Sequence, residues 1–256
     1  MQAWMLLRHS FVMLFGNFAI ALRLSAVLYA VQTIPNIYFL NFMSGVSDAE
    51  LELSPQFWLL GAFNMVILMI TGFWIAVAWH RYILVEEILS RYIPKFHGRR
   101  IMAYFGQSVL LALLIVAIGL ALGFGLALIF IFLAFTLFGE PNQTYLTIIS
   151  LFLIGLLIAP ILFRFSTVLP AAALGEQFTW GAAWQATKGS TGSLVLVSLV
   201  LWVGLGLADW LVTYLISGSL FLMVLWVIPF EWVFLMIHIS ILTTLYGHYV
   251  EKRALV

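Results

Sequence analysis

The feature that most restricts this chain is the recurrence of apolar stretches long enough to cross a bilayer. The longest, residues 107–138, reads QSVLLALLIVAIGLALGFGLALIFIFLAFTLF and carries no charged residue. About 20 apolar residues in helical form span the hydrocarbon core. Stretches of that kind recur at about residues 17–42, 56–79, 145–169, 193–216 and 220–246. Hydrocarbon offers no partner to a backbone amide, so each stretch must satisfy its own N–H and C=O groups as a helix. The reading is an all-α integral membrane helical bundle of six transmembrane helices, forming a single transmembrane domain over residues 1–256.

Composition supports this. The chain is 64% hydrophobic and 8% charged, against roughly 45–50% apolar and about 25% charged in a soluble domain. So few charges leave lipid as the solvent for most of the chain. Cysteine is absent, which excludes disulfides, thiolate metal sites and cysteine nucleophiles. The net charge of +1 does not point to nucleic acid. The apolar region after Arg8 is too long for a signal-peptide core and lacks a small-residue cleavage site, so it reads as a retained first span.

Three segments carry polar residues between spans and are expected to be amphipathic surface helices. The first is residues 1–15. The second is residues 80–100, where Tyr82, Ile83, Val85, Ile88, Leu89, Tyr92 and Ile93 keep helical spacing up to Pro94. The third lies in residues 164–189, RFSTVLPAAALGEQFTWGAAWQATKG, where a span is expected to end at Leu169 and to be broken by Pro170. Lys and Arg outside the spans (Arg8, Arg81, Arg91, Lys95, Arg99, Arg100, Lys188, Lys252 and Arg253) all fall on one side of a six-span topology, and the three hairpin loops carry none. Positive charge is retained in the cytoplasm, so both termini are expected there. Gly119 and Gly123, four apart in the third span, are expected to admit a neighbouring helix of the same chain.

A short motif recurs. Ala3-Trp4-x-x-x-Arg8-His9-Ser10 returns as Ala183-Trp184-x-x-x-Lys188-Gly189-Ser190, each followed by a span. The middle surface segment occupies the corresponding place, which gives a threefold internal repeat with units 1–79, 80–169 and 170–256.

Leu-Pro-Ala-Ala-Ala-Leu-Gly-Glu followed by Ala-Trp-x-x-Thr-Lys-Gly resembles a group of bacterial polytopic inner-membrane proteins. The group includes the membrane domain attached to some glycerophosphodiester phosphodiesterases, and six-span members of unknown role. The matching positions are Pro170, Ala171, Glu176, Trp184, Thr187, Lys188 and Gly189. The segment Ala78-Trp79-His80-Arg81-Tyr82, with Glu86, is similar to alphaproteobacterial-type members. The resemblance implies a fold and a bacterial inner-membrane location, and no activity. The phosphodiesterase barrel needs roughly 250 residues of its own, for which this chain has no room.

Four charges fall inside spans: Arg23, Arg164, Asp209 and Glu231. Each costs about 2.5–3.5 kcal/mol at mid-bilayer, so such residues pair or face the protein interior. The preferred pairing is Arg23 or Arg164 with Glu231. One reading is a polar pocket for an anionic or zwitterionic ligand. The plainer one, which we favour, is buried ion pairs or arginines snorkelling to headgroups. Glu231 and His238 are seven apart, hence on one helix face. A proton relay and a histidine bonded to a nearby backbone carbonyl both fit, and one acid with one histidine makes no path. Haem would need paired buried histidines, which the spacing does not supply. Arg81, Arg91, Lys95, Arg99, Arg100 and Lys188 are candidate lipid-headgroup contacts.

No cofactor, metal motif or catalytic constellation is legible. The expected function is therefore non-enzymatic: an accessory, scaffold or lipid-interacting membrane component. Its expected partners are membrane lipids and a membrane protein, not nucleic acid. The alternative is a small transporter or lipid-handling protein built on the intramembrane polar residues.

Overall fold

A computed structural model describes residues 2–44, 54–88, 92–137, 143–216 and 220–255. The described residues form helices and no strand: α1 (Gln2–Gly16), α2 (Phe18–Ser44), α3 (Pro55–Val85), α4 (Gly98–Leu137), α5 (Gln143–Phe165), α6 (Val168–Leu174), α7 (Trp180–Ala186), α8 (Thr191–Leu199), α9 (Gly206–Ile216) and α10 (Leu220–Leu245). A π-helical segment, Val200–Leu205, joins α8 to α9. Six helical runs are long and apolar enough to cross a membrane: α2, α3, α4, α5 with α6, α8 with α9, and α10. Six crossings return the chain to the end it started from, where Gln2 Nε2 lies 3.5 Å from His248 Nε2. We call this the basic end, and the opposite one the hairpin end.

The core sits at the basic end. Trp79, His80, Leu6, Leu14, Ile75, Met236 and Ile237 are fully enclosed there. α6 is the wedge that makes this core. Its residues Val168, Leu169, Pro170, Ala171, Ala172 and Ala173 are all buried, between α3 and α4. Alanines let those two spans approach it closely. Farther along, the spans turn Leu113, Leu120, Phe124 and Trp210 outward, as a lipid-facing surface requires. Gly119 and Gly123 do admit a neighbour: a Cβ at either would lie 3.3 and 3.5 Å from Ile158 and Ile154 of α5.

Two local expectations are corrected. Residues 80–100 are not a surface helix. α3 runs on through Val85, because Trp79 and His80 are buried in the core. It ends at Glu86, which adopts φ +54. Arg253 then caps it, donating from Nη2 to Leu84 O at 2.7 Å and from Nη1 to Ile83 O at 3.4 Å. Residues 92–97 are not helical, and Ile88 and Tyr92 stand exposed. Pro170 does not break a helix either. The break falls at Ser166–Thr167, and Pro170 lies in the first turn of α6, where a missing N–H costs little.

The two copies of the recurring motif have buried residues at matching positions. Ala3, Ser10, Leu14 and Ala21 are buried, and so are Ala183, Ser190, Leu194 and Leu201 at the same spacing, with Trp4 and Trp184 exposed in both. The copies part at one residue. His9 continues α1, whereas Gly189 takes φ +83 beyond the end of α7. A left-handed conformation suits glycine, so the chain bends at Gly189 where it runs straight through His9.

The buried His80 ring finds partners on both nitrogens. Thr243 donates its hydroxyl to Ile239 O at 2.8 Å, so at 2.9 Å it accepts from His80 Nδ1. His80 Nε2 is then left to accept from Tyr104 OH at 3.4 Å. The arrangement is that of a neutral imidazole tying α10, α3 and α4 together. It also places His80 inside the core.

Candidate functional site

Arg164 is 7% exposed and turns toward α7. Its Nε donates to Thr187 Oγ1 at 3.1 Å and its Nη2 to Trp184 O at 2.7 Å. Its guanidinium lies 3.4 Å from the centre of the Trp184 ring. Thr187 directs its own hydroxyl to Ala183 O at 2.8 Å, which leaves its lone pairs for the arginine. A cation at a helix C-terminus meets unsatisfied carbonyls and the negative end of the dipole, and the indole face adds cation–π attraction. The expected pairing of Arg164 with Glu231 is thus replaced by a clamp on a surface helix. Arg23 sets its guanidinium 5.4 Å from the Tyr92 ring. Both arginines are taken up at the basic end. Asp209 lies on α9, and its side chain is outside the described residues.

Glu231 and His238 do share one place. They line a cavity of about 430 Å³ bounded by α2, α3 and α10. Tyr29, Gln32, Thr33 and Asn36 of α2 complete its polar lining, with Leu68 on α3. The joining of the α2 amides to Glu231 is set by packing. Gln32 Oε1 accepts from Thr71 Oγ1 at 2.8 Å, and Asn36 Oδ1 from Asn64 Nδ2 at 3.1 Å. With their oxygens bound to α3, the amide nitrogens are the donors available to the cavity. His238 Nδ1 lies 2.8 Å from Phe234 O. A carbonyl only accepts, so Nδ1 carries the proton and Nε2 presents a lone pair. His238 therefore presents an acceptor beside the Glu231 carboxyl.

A second, apolar groove of about 530 Å³ flanks the same helix pair, lined by Phe18, Leu22, Ala26, Ile34, Pro229 and Val233 among others. It shares Tyr29, Thr33, Ile37 and Ile228 with the polar cavity. Tyr29 donates to Ile228 O at 2.8 Å and pins α2 to α10 between the two.

The candidate headgroup residues divide. Arg81 is held by an ion pair to Glu87 and reaches Ala173 O at 3.4 Å. Glu87 Oε1 also meets His97 Nε2 at 2.7 Å. Burial alone raises the Glu87 carboxyl, but His97 and Arg81 outweigh it and hold it below the usual carboxylate range. Arg81 is thus a structural cation, and the Glu87–His97 contact went unread in the sequence. Lys95, Arg99 and Lys188 are exposed at the basic end, and Arg100 is partly so. Arg91 lies outside the described residues.

The fold and this distribution of charge define a multi-pass α-helical membrane protein. No family model, curated protein or solved structure matches the chain.

Proposed function

We propose that this protein is a non-enzymatic, lipid-interacting component of the bacterial inner membrane, with both termini in the cytoplasm. In this reading the cavity between α2, α3 and α10 receives a lipid whose polar group donates hydrogen bonds. The observation that carries it is the joining, at span depth, of a carboxylate and an imidazole lone pair in a cavity of about 430 Å³ beside an apolar groove. Acceptors at that depth suit a hydroxyl, amide or amine, and the apolar groove suits a chain. The transport alternative drew on four converging charges, and Arg164 and Arg23 are engaged elsewhere.

The test is purification of the full chain from native membrane in mild detergent, with retained lipids identified by mass. One lipid class should be enriched over bulk membrane, and Glu231→Gln and His238→Phe should deplete it while the protein stays folded. Retained lipid of bulk composition in the wild type would refute the reading.

A further inference from the structure

A third space, a groove of about 680 Å³, opens at the basic end between the start of α4 and the end of α6. Arg99, Arg100 and Gln107 line one wall and Gly175 and Glu176 the other. Val109 and Leu110 continue the α4 wall as exposed apolar surface. Gln107 Oε1 is already bound by Trp180 Nε1 at 2.9 Å. Arg99, Arg100 and Glu176 make no ion pair among the described residues, with each other or with any other group.

Arg100 lies directly over Gly175: a Cβ there would come within 1.7 Å of its Nη1. It is not needed to cap α6. Ala171 O and Ala172 O are satisfied by the Gly175 and Glu176 amides, and Ala173 O by Arg81. Two guanidiniums and one carboxylate thus face a common space with their charge uncommitted, at the rim of a lipid-facing helix.

We propose that this groove binds the headgroup of an aminophospholipid of the ethanolamine type. The phosphodiester sits against Arg99 and Arg100, where a planar guanidinium matches phosphate oxygens. The primary ammonium, with three N–H donors, meets Glu176. One acyl chain follows Val109, Leu110 and Leu113 along α4, all exposed. A choline headgroup offers Glu176 no donor, and a glycerol headgroup offers it no positive charge. The inference is independent of the α2–α3–α10 cavity, which lies on other helices.

The experiment uses the full chain in detergent, offered equal amounts of ethanolamine, choline and glycerol phospholipids with identical acyl chains, with retention read by native mass spectrometry. Wild type should prefer the ethanolamine lipid about fivefold, the size expected for one charge contact near a membrane surface. Glu176→Gln should abolish that preference and keep phospholipid retention. Arg99→Gln should lower retention of all three. Arg100→Gln should do the same, with Arg100→Lys as a charge-keeping control for folding. Equal retention of the three lipids by wild type, or an unchanged preference in Glu176→Gln, overturns the proposal. Glu231→Gln should leave this preference intact, so failure here and failure of the cavity reading are told apart.

Discussion

Replacing Gly175 by alanine separates a backbone effect from a side-chain effect, because Gly189 provides a matched control. The two glycines have almost the same left-handed backbone, φ +85 and +83. An L-residue in that region costs roughly 1–2 kcal/mol, and the stiffer unfolded chain returns about 0.4–1 kcal/mol. Each substitution should therefore destabilise by about 1 kcal/mol. Their surroundings differ. Nothing lies within 4 Å of a Cβ at Gly189, whereas at Gly175 the Arg100 guanidinium would be struck at 1.7 Å. That group is the tip of a flexible side chain, so it swings aside at little energetic cost. Equilibrium unfolding of the full chain in mixed micelles should then give Gly175→Ala and Gly189→Ala similar losses, while only Gly175→Ala alters phospholipid retention. A Gly175→Ala loss above about 3 kcal/mol that a second change Arg100→Ala relieves would show that the guanidinium is locked in place and refute the reasoning.

Three further outcomes are expected. The Glu87 carboxyl is held below its ordinary value, so its stabilising contribution is complete above the unfolded value and lost as pH falls through the lower folded one. Acid titration of stability should show a loss below about pH 4.5 that Glu87→Gln removes. Thr187→Val deprives Arg164 Nε of its acceptor and should cost about 1–3 kcal/mol in unfolding free energy, with Thr187→Ser restoring most of it. Thr243→Val leaves the buried His80 Nδ1–H without a partner and should cost a similar 1–3 kcal/mol, measured by the same titration.

The spans were legible because each answers to one local demand, an unbroken apolar run of bilayer length. The connections were not, because they answer to distant neighbours. The helical spacing of residues 80–93 is genuine, but its first part is buried in the bundle as the end of α3. Its stop at Glu86 depends on Arg253, which closes the helix from the far end of the sequence. The run Pro170–Ala173 stood out as an interruption. Its small side chains reflect burial between α3 and α4 rather than a surface turn. Arg164 was legible as a charge that needed an answer. Its acceptors come from the C-terminal turn of α7, some 20 residues on, and only the tertiary fold brings them back.

The cavity illustrates what one helix pattern contains and what it omits. Glu231 and His238 had to share a face of α10. The Gln32–Thr71 and Asn36–Asn64 bonds run in opposite order along α2 and α3, as an antiparallel hairpin requires, so those amides serve the register of the hairpin. Register accounts for the Gln32 and Asn36 oxygens. It does not by itself call for a carboxylate at position 231, which costs about 2.5–3.5 kcal/mol at mid-bilayer. A basic belt, by contrast, follows from topology alone. A costly acid in a roomy cavity is therefore a sharper residue to substitute first than a cheap cation at the rim.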